Sequence, residues 1–212
     1  ICIKTSISLL SPGTEKMLLD FGKSGILKKA LTQPERVEEV INKMKIEGVF
    51  ETYQKVLNKL DQPIPLGYCN VGIVESVGKE VKNYKVGDRV VSNGFHAEFV
   101  EVPENLCQKI PDNVTDEQAV FTILSSISLH GIRLSEPTLG ETYVVIGMGL
   151  VGLLCTELLI LNGCNVISVD IDSSRLEHAK NLGAETLHLS EKMSIDEAVS
   201  AISGKHLVDA VI

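Results

Sequence analysis

The residues most able to do chemistry are Gly147-Met148-Gly149-Leu150-Val151-Gly152, three glycines at G-x-G-x-x-G spacing. Alone the pattern is a weak signal. Here the apolar run Val144-Val145-Ile146 leads into it, an apolar helix-period stretch follows it, and a second strand-like run ends at Asp170, 23 residues after Gly147. Each part has a physical task. Gly147 permits a tight turn, Gly149 lets a pyrophosphate approach the backbone, and Gly152 lets helix and strand pack closely. The free N–H groups of Leu150 and Val151 would hold the diphosphate. Asp170 would accept hydrogen bonds from the adenosine ribose and repel a 2′-phosphate, which favours NAD over NADP. Arg175 could reach the ribose or stack on adenine, or simply be solvated at the start of the next helix. Asp172 suits the N-terminus of that helix, where negative charge is favourable.

The elements around this turn alternate. Strands are expected at Tyr143–Ile146, Asn165–Asp170, Thr186–Leu189 and Val208–Ile212, with helices at Leu150–Asn162, Ser174–Leu182 and Ser194–Ile202. Such alternation implies a doubly wound parallel sheet, here in the order 3-2-1-4. The first part of the chain reads differently. Strand-like runs at Ile1–Leu10, Val71–Val77, Arg89–Ser92, Ala97–Val102 and Leu106–Ile110 are divided by glycine and proline, which suggests a compact, partly open barrel. Ser11-Pro12-Gly13-Thr14 reads as a turn. From Glu15 to Leu60 the period is helical. Thr32-Gln33-Pro34-Glu35 has the form of a capping box, and Val37, Val40, Ile41 and Met44 share a face, as do Val49, Tyr53, Val56, Leu57 and Leu60. Asp116–Leu134 is expected as a helix that carries the domain boundary. The division is therefore 1–125, with a helical insertion over about 15–60, and 126–212.

Composition bounds the function. The 212 residues are 44% hydrophobic and 23% charged, with 20 Lys+Arg against 28 Asp+Glu and a formal charge of −8. An acidic chain is a poor non-specific ligand for nucleic acid. Segment 15–60 is richer in basic than acidic residues and reads as a solvated face. Five scattered cysteines without a C-x-x-C argue against a disulfide framework and a cysteine-built zinc site. The most apolar stretch, Tyr143–Leu161, is broken by Gly147, Gly149, Gly152, Thr156 and Glu157, so no membrane span is expected. No leader-like segment is visible in these residues, and a cytoplasmic location is expected. Both ends fall in strand-like runs, Ile1 onward and Val211-Ile212, and the sequence reads as a piece of a longer chain.

Pro65-Leu66-Gly67-Tyr68-Cys69-Asn70-Val71-Gly72-Ile73-Val74, then Val77-Gly78, then Lys85-Val86-Gly87-Asp88-Arg89-Val90, resembles the medium-chain dehydrogenase/reductase family and its GroES-like domain. His96-Ala97-Glu98-Phe99-Val100, Val102-Pro103, Leu129-His130-Gly131-Ile132 and Gly140-Glu141-Thr142 extend the resemblance to most of the chain outside 15–60. It implies a GroES-like domain joined to a Rossmann domain, an NAD cofactor and a small-molecule substrate. Many relatives hold a catalytic zinc on three side chains. Those positions fall here near Leu10 or Ser11, at Tyr68 with Cys69 beside it, and near Ile123 or Leu124. Zinc needs thiolate, imidazole or carboxylate donors, so the resemblance implies a zinc-independent member.

Without zinc, Tyr68 is the first candidate to hydrogen-bond the reacting oxygen or do acid work, against the alternative of a packing tyrosine. His96 is a second candidate or a structural loop histidine. His130 reads as a packing residue, and Cys69 as a thiol near the site or a small buried side chain. Ser8-Leu9-Leu10-Ser11-Pro12-Gly13-Thr14-Glu15 and Leu66–Gly72 are also similar to two-module bacterial oxidoreductases, in which a zinc-less dehydrogenase module precedes a second oxidoreductase module. The resemblance implies hydride transfer between nicotinamide and an alcohol or carbonyl of a sugar-like substrate; residues 1–212 alone are expected to bind the dinucleotide weakly and to show no measurable turnover. It leaves room for a homo-oligomer and a fused C-terminal module. An NADPH-dependent quinone or enoyl reductase and a non-catalytic NAD-binding scaffold are the rival readings.

Overall fold

The computed structural model describes residues 1–23, 63, 65–189, 200 and 208–212. The expected capping box at Thr32, the two apolar stripes over 37–60 and the helix Ser194–Ile202 lie outside the described residues, apart from residue 200.

Five antiparallel strands form the first sheet: β1 (Cys2–Ser8), β2 (Asn70–Ser76), β3 (Arg89–Ser92), β4 (Phe99–Glu101) and β5 (Cys107–Lys109), in the order β4-β1-β2-β3-β5. Adjacent side chains on a strand face opposite ways. Accordingly, Val90 joins a core with Ile3, Val74, Val100, Val102 and Cys107, while Val91 joins another with Val71, Ile110, Ala119 and Val120. Arg89 closes the second face. Its guanidinium donates to Asp116 Oδ1 at 2.6 Å and to the Val114 carbonyl at 2.9 Å.

Helix α1 spans Pro12–Lys23. The expected turn at 11–14 is instead the start of this helix. Proline is suited to the first helical position, and the Glu15 carboxylate accepts the Ser11 N–H at 2.9 Å, satisfying a donor at the helix start. The expected helix Asp116–Leu134 divides into α2 (Asp116–Ala119) and α3 (Thr122–Ser135). A reciprocal capping box between Thr115 and Gln118 starts α2. The Thr122 hydroxyl donates to the Ala119 carbonyl at 2.7 Å where the two helices meet.

The second sheet is parallel. It contains β6 (Thr142–Ile146), β7 (Asn165–Asp170), β8 (Glu185–His188) and β9 (Ala210–Val211), in the order β8-β7-β6-β9. This is the 3-2-1-4 order expected from the alternation. Helices α4 (Leu150–Leu161) and α5 (Ser173–Asn181) provide the β6–β7 and β7–β8 crossovers. Side chains on both faces are buried, as parallel sheets require. Tyr143 and Val145 pack with Met148, Cys155, Leu159 and Leu176 on one side; Val144 packs with Ile167, Val169 and Leu187 on the other. No helix among the described residues is long and apolar enough to cross a membrane.

Candidate functional site

The glycine turn sits where β6 ends and α4 begins. Gly147 has φ +92°, a left-handed conformation that favours glycine, and its N–H donates to the Val169 carbonyl at 2.7 Å. A Cβ on Gly152 would lie 1.9 Å from the Gly147 carbonyl oxygen, so helix and turn meet there with no room for a side chain. A Cβ on Gly149 would meet nothing within 4 Å. Gly149 caps α4 without a side-chain hydrogen bond. Among the described residues, no hydrogen bond takes up the N–H of Gly149, Leu150 or Val151. Open space and free donors at a helix N-terminus fit a diphosphate.

Asp170, at the end of β7, is turned toward this loop and is 8% exposed. One carboxylate oxygen accepts the Met148 N–H at 2.5 Å and the other accepts the Asp172 N–H at 2.8 Å. Each oxygen has further acceptor capacity. Met148 is buried below the turn, and its sulfur meets the Thr156 hydroxyl, which is paired with Ser168. Thus Gly147 and Met148 are both fastened to the end of β7, Gly147 at the Val169 carbonyl and Met148 at the Asp170 carboxylate. Asp172 caps α5 by accepting the Ser174 N–H at 2.8 Å, and the Ser174 contacts hold its carboxyl below the usual carboxylate range. Arg175 is more than half exposed and lies 3.6 Å from Asp172, so its partner is the cap of its own helix.

Tyr68 belongs to a second constellation. It is half-buried, and its hydroxyl is 3.5 Å from Thr14 Oγ1 in α1. Beside it, His96 bridges separate segments: Nδ1 lies 2.9 Å from Ser8 Oγ, and Nε2 lies 3.2 and 3.1 Å from the two Glu15 carboxylate oxygens. The Glu15 side chain is only 3% exposed. Sequence reasoning does not single out Ser8 and Glu15 as site residues; the Ser-Pro-Gly-Thr-Glu element is the available signal. Cys69 is fully buried, and burial pushes its thiol up to about 11, with the nearby Glu15 charge adding to the rise. His130 is exposed on α3, not packed as expected. Among the described residues, no group of three or more His, Cys, Asp and Glu could hold a metal ion. No hydrogen bond or ion pair among them joins the Tyr68 group directly to the glycine turn. A groove lined by Ile1, Ser76, Gly78, Glu101 and Pro103 contains no expected site residue.

Residues 40–112 match the family described as "Alcohol dehydrogenase GroES-like domain". The chain is 30% identical over 179 residues to "Probable D-xylulose reductase A" of Arthroderma otae, covering 69% of this chain and 50% of that protein. It is similar in structure to 2R,3R-butanediol dehydrogenase from Bacillus subtilis, with 28% identity and a TM-score of 0.63 over 73% of this chain and 52% of the other. A mycobacterial protein solved with NADPH has 30% identity and a TM-score of 0.63, over 73% and 51% of the two chains. These likenesses support the alcohol-dehydrogenase-like family. The chain spans about half the length of the curated relatives it matches.

Proposed function

We propose that this chain is the GroES-like and nucleotide-binding part of a zinc-independent, NAD(H)-dependent oxidoreductase acting on an alcohol or carbonyl of a sugar-like substrate. The carrying observation is the glycine turn: a gap over Gly149, free N–H groups at the start of α4, and Asp170 fastened to Met148. The relatives' names supply the alcohol and ketose chemistry. The proposed division remains 1–125 and 126–212, with the two parts flanking a cleft.

Bound nicotinamide would supply or accept the hydride. Leu150 and Val151 would hold the diphosphate by their N–H groups, while Gly147 and Gly152 fix the turn. Asp170 would accept the ribose hydroxyls on its remaining lone pairs and disfavour a 2′-phosphate. Arg175, on the exposed start of α5, would swing from Asp172 toward the adenosine. Tyr68 would donate its hydroxyl proton to the substrate oxygen in the carbonyl-reducing direction, or accept one in reverse. The donor set supports the zinc-independent reading. Leu10 or Ser11, Tyr68, and Ile123 or Leu124 offer no imidazole, carboxylate or thiolate, and Cys69 beside Tyr68 is a single thiol.

The NADPH found in the mycobacterial neighbour favours a second reading, an NADPH-dependent quinone or enoyl reductase. Titration of the full-length protein with NADH and NADPH separates the two. Tighter binding of NADH and substoichiometric zinc are expected. No binding of either coenzyme, or one zinc per chain with activity lost on chelation, would overturn the proposal.

A further inference from the structure

We infer that Glu15 and His96 are positioning residues for the Tyr68–Thr14 hydroxyl pair, a role beyond the family assignment that rests on the proposed use of Tyr68. Residues 8–15 and 66–69, both distant from His96 in sequence, meet at this one residue. Ser8 closes β1, Glu15 lies in the first turns of α1, and residues 66–69 lead into β2. The His96 ring touches the first two by hydrogen bonds. Its backbone N–H donates to the Leu66 carbonyl at 2.8 Å. Gly67 packs directly on the ring: a Cβ there would lie 2.7 Å from His96 Cγ, and its φ of +93° favours glycine in any case. Tyr68 is the next residue.

Glu15 fixes the other half of the pair. Its carboxylate holds the Ser11 N–H as well as the imidazole, and Thr14 immediately precedes it. A carboxylate this buried is held in place by its partners, because leaving it unpaired is costly. The Tyr68–Thr14 separation of 3.5 Å stands at the outer limit of a hydrogen bond. A small displacement of either segment therefore decides whether the two hydroxyls act together on a substrate oxygen. The clamp sets that displacement and does not touch the reacting atoms.

The full-length protein labelled with [ζ-13C]tyrosine tests the clamp without a substrate. Loss of one signal in Tyr68→Phe assigns Tyr68. His96→Asn, Glu15→Gln and Thr14→Val are each expected to shift that signal while the signals of Tyr84 and Tyr143 stay in place. An unmoved Tyr68 signal in folded His96→Asn and Glu15→Gln overturns the inference. So does movement of all tyrosine signals together, the mark of general loosening. Should His96→Asn fail to fold, Glu15→Gln and Ser8→Ala, which keep the imidazole, decide the matter.

NADH-linked reduction of D-xylulose supplies the functional arm. Tyr68→Phe is expected to lower kcat at least tenfold, His96→Asn about tenfold, and the double variant no further than Tyr68→Phe alone. Multiplying losses would overturn the clamp while leaving Tyr68 in its role. An undiminished Tyr68→Phe rate would overturn both. Absence of turnover by the parent protein would count against the proposed substrate class, and the tyrosine signals would then decide for or against the clamp by themselves.

Discussion

The carbonyl oxygen of Gly147 occupies the space that any side chain on Gly152 would need, 1.9 Å from its ideal Cβ position. The obstacle is backbone in a left-handed turn, so relief requires moving the turn itself. Gly152→Ala is expected to lose about 1–3 kcal/mol of stability, as overpacking does, together with coenzyme affinity. Gly149 offers the contrast. It has φ −76° and open space around its missing Cβ, so Gly149→Ala should change stability by less than about 1 kcal/mol. Its methyl would still obstruct the diphosphate and weaken NADH binding at least tenfold. Urea unfolding and fluorescence titration read the two effects separately. Wild-type affinity in Gly149→Ala would remove the diphosphate from this turn.

Asp170 ties the end of β7 to the glycine turn through Met148 and also fastens Asp172. An asparagine has one acceptor oxygen where the carboxylate has two. In Asp170→Asn, one of the two backbone N–H groups must face an amide NH2, a loss of about 1–3 kcal/mol for an unsatisfied buried donor. The same substitution removes the charge proposed to exclude a 2′-phosphate. The parent protein should bind NADH at least tenfold more tightly than NADPH, and the variant should narrow that ratio. A ratio unchanged by the substitution would assign the preference to another residue.

The parallel sheet is legible in the sequence because its signals are local and repeated. Asn165–Asp170 is a short apolar run bounded by turn residues, and the alternation of such runs with helical periods restricts the strand order. Ambiguous local signals mislead. Ser-Pro-Gly-Thr can make a turn or open a helix, and the carboxylate of Glu15 helps decide for the helix. His130 looks apolar by its sequence neighbours, but two helical residues lie about 200° apart, so buried Ile132 leaves His130 outside. The Ser8–Glu15–His96 array is beyond periodicity altogether. Its pairs to His96 span 88 and 81 positions and exist only because β1, α1 and the 93–98 segment converge.

Burial pushes the thiols of Cys69 and Cys107 from 9.0 up to about 11, and it raises Cys155 in the same direction. A thiol is neutral when protonated, so the unfolded chain releases its protons first as pH rises. Between about pH 9 and 11 the unfolded state binds fewer protons than the folded one, and stability must fall across that window. Below about pH 8 these groups contribute little slope, because both states are then protonated. Tyr84, also raised chiefly by burial, adds to the fall above its ordinary value of 10.0. The urea midpoint should therefore be nearly insensitive to these thiols from pH 7 to 8 and drop most steeply between pH 9 and 11. A Cys69→Ala/Cys107→Ala/Cys155→Ala variant should start lower, from lost packing, yet fall less steeply. Brief iodoacetamide treatment at pH 8, read by mass spectrometry, should spare these three and mark the half-buried Cys2 first, since the thiolate is the reacting form. Equal slopes in parent and triple variant would place the alkaline sensitivity elsewhere, and rapid labelling of Cys69 would mean that the segment beside Tyr68 opens far more often than its packing implies.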